Sequence, residues 1–175
     1  MILFFLAASL AMAQAPSWTE PIIVRHDTTP CISYRARLQG QTLVLHAKIE
    51  PGWHTFSMDN KLRAEEKLAG KQSLGIDAPT EIRLSGALET TGGWRQTEPK
   101  DFSKPDLRWY SWGFENEALF AAPVRVSGAG PASIRVRGQA CTETICKQID
   151  VTISVPLNAG AAGPEVDLQS LVAVR

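Results

Sequence analysis

The sequence predicts an all-β fold, an antiparallel β-sandwich with one short helix in an insertion. Three observations predict it. Several segments carry apolar residues at every second position, the period of a half-buried strand. Clusters of Gly, Pro and small polar residues punctuate these segments. Only one stretch has helical character. Seven or so short strands separated by turns, with one minor helix, suit an immunoglobulin-like sandwich.

Taken in order, the first residues "MILFFLAASLAMA" form an apolar run that ends in small residues. Ala11-Met12-Ala13 fits a signal-peptidase site, so 1–13 is expected to be a signal peptide and Gln14 the first mature residue. The run lacks the usual leading Lys or Arg, and the competing reading is a buried N-terminal strand. It is too short to span a bilayer, which needs about 20 apolar residues. Export makes the protein periplasmic or secreted, with no membrane insertion after signal removal.

"CISYRARL" and "TLVLHAKIE" are strand candidates, the second with Leu43, Leu45, Ala47 and Ile49 on one face. Gln39-Gly40 and Pro51-Gly52 mark turns. "NKLRAEEKLAG" is the helix, with Asn60 as its expected cap and Gly70 as its expected end. "TEIRLSGAL" and "ALFAAPVRV" are further strands. In "ASIRVRGQA" Ile134 and Val136 face inward, with Arg135 and Arg137 outward. In "KQIDVTISV" Ile149, Val151, Ile153 and Val155 face inward. The domain is therefore expected over 14–157. "NAGAAGPEV" is a small-residue linker and "DLQSLVAVR" a tail with no clear partner, together 158–175.

The 175 residues suffice for one domain with a substantial core. With 18 basic and 18 acidic residues the net charge is zero, and nothing suggests nucleic acid as a partner.

The chemistry lies in "RGQACTETICKQ", where Cys141 and Cys146 flank a short turn. Strand alternation carried from Arg135 and Arg137 puts Cys141 on the outward face, and Gln148 and Asp150 put Cys146 there too. Opposed hairpin positions have Cα atoms about 4.5–5.5 Å apart, within disulfide range. Disulfides persist outside the cytoplasm. A bridge closing a loop of about six residues contributes only about 2 kcal/mol, against more than about 4 for a loop of about 100. An exposed, weakly stabilising bridge is suited to exchange, and on the residues alone a hairpin staple stays open beside it. A metal pair needs more ligands than two cysteines, and His26, His46 and His54 show no ligand spacing, so no metal or organic cofactor is expected. Thioredoxin chemistry lacks its Cys-x-x-Cys. Cys31 follows no lipobox and reads as a small buried hydrophobe with a free thiol. Lys147 reads either as a charge that lowers the Cys146 pKa or as a solvated lysine.

Three stretches, "PGWHTF", "FENEALFAAPVRV" and "VRGQACTETICKQ", resemble the N-terminal periplasmic domain of the thiol:disulfide interchange protein DsbD. The resemblance covers most of Thr19 to Leu157, and the cysteine hairpin is its specific motif. It implies thiol-disulfide oxidoreductase activity of the protein-disulfide reductase type through Cys141 and Cys146. Its implied partners are a thioredoxin-like donor domain or membrane electron-transfer protein, and periplasmic thiol proteins as clients. It favours Cys141 for the mixed disulfide. It also implies an aromatic cap loop over the bridge, which spacing puts at Trp109 and Tyr110, against ordinary packing of these rings and Trp112. The sequence departs from the family in having one residue fewer between the cysteines, and Lys147-Gln148 where prolines are usual. Since the chain stops at Arg175, it is expected to be a stand-alone version served by a separate donor. The competing class is a non-catalytic protein-binding sandwich with a structural hairpin disulfide.

Overall fold

The structure, a computed structural model, describes residues 18–157 and 165–175. The expected signal peptide and most of the linker lie outside the described residues. The strands are β1 (Ile22–His26), β2 (Thr29–Gln39), β3 (Thr42–Ile49), β4 (His54–Phe56), β5 (Glu81–Gly86), β6 (Leu88–Thr90), β7 (Arg95–Gln96), β8 (Lys100–Asp101), β9 (Trp112–Phe114), β10 (Glu117–Val126), β11 (Ala132–Cys141), β12 (Cys146–Val155) and β13 (Val172–Ala173). One helix, α1 (Asn60–Leu68), follows β4.

These strands form two antiparallel sheets, an immunoglobulin-like sandwich. One runs β1-β2-β3-β10-β7-β13, with β6 also on β10; the other runs β12-β11-β4-β9-β8, with β5 also on β11. The expected alternation builds the core between them. Leu43, Leu45 and Ala47 of β3 are fully buried, facing Ile134, Val136 and Ile153 of the other sheet. Phe114 and Phe120 meet edge to face at 5.6 Å between centroids. Each fully buried aliphatic side chain stabilises the fold by about 1.5–3 kcal/mol.

The helix starts differently from its expected form. Asp59 holds the cap position without a side-chain cap bond, and Asn60 is the first helical residue. Asn60 is wholly buried because its amide joins other elements. Its Oδ1 accepts from the Trp112 backbone N–H at 2.7 Å, and its Nδ2 donates to the Asp77 carbonyl at 2.9 Å. Ala69, in a left-handed conformation, ends the helix one residue before Gly70.

The C-terminal tail, expected to lack a partner, has one. Val172 and Ala173 pair with Gln96 and Arg95 at the sheet edge, and Leu171 is buried. The Arg95 guanidinium donates to the Leu171 carbonyl. Arg175 reaches α1, its backbone N–H on Asp59 Oδ2 and its guanidinium on Glu66. Asp59 is itself buried. Burial pushes its carboxyl up, but the Gln96 hydrogen bond, the nearby Ser57 hydroxyl and the Arg63 ion pair outweigh that and hold it below the usual carboxylate range.

Candidate functional site

β11 and β12 form a ten-pair ladder that starts at Ala132 opposite Val155 and ends at Cys141 opposite Cys146. The two cysteines are disulfide-bonded with Cα atoms 4.0 Å apart, closer than the sequence-based spacing. Thr142 shapes the turn between them. Its N–H donates to the Ile145 carbonyl at 2.8 Å, and its hydroxyl oxygen accepts from the Ile145 N–H at 3.1 Å. A Ser/Thr hydroxyl bonding its own turn is a usual way to close a tight loop.

The expected outward placement holds for Cys146, which is exposed, and needs correction for Cys141, which is 2% exposed. Alternation does put Cys141 on the outer face, in the row of the exposed Arg135 and Arg137. The outer face is simply covered at that end. The far edge of β11 is shared, with β5 pairing up to Arg137 and β4 pairing at Ala140 and Cys141. At the junction lies Gly138, with φ +151°, where a Cβ would sit 3.2 Å from the Pro79 carbonyl oxygen. The chain entering β5 therefore crosses closely over this point.

Two segments converge there. His54 lies directly opposite Cys141. On its own face it packs edge-on against Phe56 and tilted against Phe102, each at 5.3 Å between centroids. Phe102 begins a hairpin, with its N–H on the Ser111 carbonyl and Lys104 paired to Trp109. The hairpin joins β8 to β9, and β9 lies against β4. Gly113 permits that pairing, since a Cβ there would fall 2.0 Å from the Thr55 carbonyl oxygen. Trp109 and Tyr110 sit at the end of this hairpin, both half-buried, while Trp112 is buried in β9. The Trp109 Nε1–H donates to Asp77 Oδ2 at 2.9 Å, and Asp77 Oδ1 accepts from Gln139 Nε2 at 3.2 Å. Trp109, Gln139, Leu74 and Leu107 border one groove of about 480 Å³. Burial lowers the His54 pKa, partly offset by the charges of Asp77 and Glu115, so its imidazole is neutral near pH 7.

Lys147 is half-buried on β12 and points to the face opposite Cys146, since adjacent strand residues alternate. Cys31 is a free thiol with no exposure. Burial raises its pKa, against the lowering by a His26 backbone hydrogen bond and by Lys147.

Sequence reasoning missed Phe102, Asp77, Asn60 and Gln139. Their roles come from contacts between segments far apart in the chain, for which periodicity carries no signal. His54 stood within "PGWHTF", Gln139 within "VRGQACTETICKQ" and Asn60 within "NKLRAEEKLAG", none of them with the role the structure gives it.

A family model described as the N-terminal part of the thiol:disulfide interchange protein DsbD matches residues 26–158. The chain belongs to this family. As a member of this family it is a thiol:disulfide interchange domain, and the matched region contains the Cys141–Cys146 disulfide. Two solved structures share the fold. The N-terminal periplasmic domain of ScsB from Proteus mirabilis is 15% identical, with TM-score 0.55, over 84% of this chain and 54% of that one. The DsbD N-terminal domain of Neisseria meningitidis, in the reduced form, is 12% identical, with TM-score 0.51, over 76% of this chain and 93% of that one. The chain thus spans about half the length of the ScsB domain. A comparison with curated protein sequences finds no match.

Proposed function

We propose that this DsbD N-terminal domain works in the periplasm and carries reducing equivalents through Cys141 and Cys146, from a thioredoxin-like donor to thiol proteins. The observation that carries the reading is the asymmetry of the bridge, one sulfur exposed and the other buried. Disulfide exchange needs access to the sulfur that is attacked, with the other sulfur leaving as a thiolate. Access selects Cys146 as the sulfur that meets a partner, in place of the Cys141 expected from the resemblance.

The cycle balances two electrons and two protons. A donor thiolate attacks Cys146 Sγ, the Cys141–Cys146 bond breaks, and Cys141 leaves as a thiolate that takes up a proton. The donor's second thiolate then attacks its own sulfur in the mixed disulfide and expels Cys146. The donor leaves oxidised and the domain reduced. In the second half, the Cys146 thiolate attacks a client disulfide. Cys141 then attacks Cys146 Sγ, which re-forms the bridge and releases the client dithiol. No metal or organic cofactor enters any step.

The test is trapping. With Cys141→Ala, the remaining Cys146 thiolate should attack a single-cysteine thioredoxin-like protein activated as its thionitrobenzoate mixed disulfide, forming the protein–protein disulfide and releasing thionitrobenzoate. With Cys146→Ala capture should fall by about tenfold or more, because a buried thiol reacts slowly. Equal capture by both variants would overturn the order of attack. A reduction potential well below about −300 mV would mark a structural staple, and one near the thioredoxin value of about −270 mV or above marks an exchangeable bridge.

A further inference from the structure

Cys146 begins a strand with an open side. β12 is the terminal strand of its sheet, and among the described residues no strand pairs along its other edge. Three observations fix which backbone groups face that edge. The Thr142 N–H donates to the Ile145 carbonyl, so this pair is a hydrogen-bonded one and the next pair, Cys141 with Cys146, is not. The 4.0 Å between the cysteine Cα atoms suits the closer, non-bonded kind of pair. Two residues along, the Gln139 carbonyl is turned away from β12, where it accepts from the Thr55 hydroxyl at 2.9 Å. Because the pairs alternate, Lys147 and Ile149 bond to β11, while the N–H and C=O groups of Cys146, Gln148 and Asp150 face the open edge. These three residues are also exposed.

Folded proteins usually blunt such an edge with bulges, prolines, charges or short length. The other edges here are blunted. β1 carries a register shift between Val24 and Arg25, β8 and β13 have two residues each, and β6 has three. β12 pairs over ten residues without a shift and contains no proline. Its one acidic side chain, Asp150, is engaged by Arg135 through two bonds of 2.7 Å. Where the family usually has prolines, Lys147-Gln148 leaves the Gln148 N–H able to donate. The sulfur lies at the right end of this edge. A disulfide holds its Cα atoms about 4.4–6.8 Å apart, and paired strands lie about 4.7–4.9 Å apart. A partner sulfur joined to Cys146 therefore brings its own backbone to pairing distance. Backbone pairing gives affinity with little demand on side-chain identity, which suits clients of varied sequence better than a single donor.

We propose that the open edge of β12, from Cys146 to Asp150, is the client-docking surface, and that it takes proteins whose disulfide-bonded cysteine lies in an extended segment, by adding that segment as a strand. The proposal rests on the exchange function above and names the substrate class of its second half. With the segment paired, the Cys146 thiolate attacks the docked sulfur, and the client's other sulfur leaves as a thiolate that takes up a proton. Cys141 then attacks Cys146 Sγ, re-forms the bridge and releases the docked sulfur as the second thiol.

The test uses the reduced protein and two short synthetic peptides of alternating Thr and Val, each with a central cysteine carrying thionitrobenzoate as a mixed disulfide. One peptide has free backbone N–H groups, and in the other the residues flanking the cysteine are N-methylated. Release of thionitrobenzoate should be about tenfold faster with the first, the effect of about two hydrogen bonds. Gln148→Pro removes an edge-facing donor and no ladder bond, and should cut this preference to about threefold or less. Reading a ratio of two rates cancels any change in thiol reactivity. Should that variant not fold, hydrogen exchange decides. In Cys141→Ala protein held as its mixed disulfide with the first peptide, the Gln148 and Asp150 amides should exchange at least about tenfold more slowly than in the unreacted protein, while those of Lys147 and Ile149 are protected in both. Equal rates for the two peptides, or unchanged exchange at Gln148 and Asp150, would overturn the docking edge. Failure of the exchange function reads differently: a thioredoxin-like donor would leave the oxidised protein unreduced, while the peptide preference, carried by the edge alone, persisted.

Discussion

Burial holds two histidines below their ordinary pKa, and each tells what protonation would disturb. His46 accepts from Arg35 Nε at its Nδ1, 3.1 Å away, and its Nε2 meets Glu117 at 3.2 Å. The first bond needs a neutral ring, because an imidazolium has no lone pair to offer an arginine. Burial dominates the lowered pKa, the Glu117 hydrogen bond and charge oppose it, and Arg35 adds to it. His54 is lowered by burial among Phe56 and Phe102, with Lys104 adding to the effect and Asp77 and Glu115 opposing it. With the folded pKa depressed, the unfolded chain takes the proton first as pH falls. Stability is complete above the ordinary histidine value of about 6.5 and is lost as pH drops from there towards the folded values, then levels off. Urea midpoints between about pH 7.5 and 5.5 should therefore fall, with a slope of up to about one proton per histidine. His46→Gln combined with His54→Asn should flatten that slope. An unchanged slope would place the titrating groups elsewhere.

Elements that bury one face along several alternating residues were legible in the sequence, and elements held by partners were not. The ladder of β11 and β12 follows directly from Ile134, Val136, Ile149 and Ile153, and its register brought the two cysteines opposite each other. The short strands β4, β7, β8, β9 and β13 have two or three residues each, too few for a period to show. They exist because neighbouring strands offer them edges. The same limit hid the cover over Cys141, since alternation gives a side chain's face and says nothing of what crosses it. The tail shows this at element scale. "DLQSLVAVR" has no strong pattern, yet Leu171 is buried and β13 extends the sheet. Truncation after Ser170 should lower unfolding free energy by about 2.5–4 kcal/mol, with about 1.5–3 from Leu171 and about 1 from the lost backbone bonds. A urea melt measures it. A loss under about 0.5 kcal/mol, the usual range of neutral surface changes, would mean the docked tail adds nothing to the fold.

At the scale of the whole molecule, a domain that cycles between disulfide and dithiol must keep one fold in both states. The architecture meets this requirement by putting the bridge where the fold does not depend on it. The main core lies between the sheets, built from β2, β3, β10, β11 and β12, and neither Cys141 nor Cys146 belongs to it. The bridge ties only the last pair of a ladder that hydrogen bonds already register from Ala132 onward. Thr142 closes the turn without help from sulfur. Chain entropy for so short a loop sets an upper contribution of about 2 kcal/mol. Because native pairing already restrains the loop ends, the reduced protein should unfold with a free energy lower by no more than that amount. Urea melts of the oxidised domain and of the domain kept reduced under excess dithiothreitol make the comparison without mutation. A difference above about 4 kcal/mol would exceed what a loop of about six residues supplies, and would identify the bridge as a staple. A small difference also bears on the redox equilibrium, since a bridge that adds little to folding is correspondingly easy to reduce. The stability measurement and the reduction potential must therefore agree: a small loss on reduction with a potential near that of thioredoxin, or a large loss with a potential well below it.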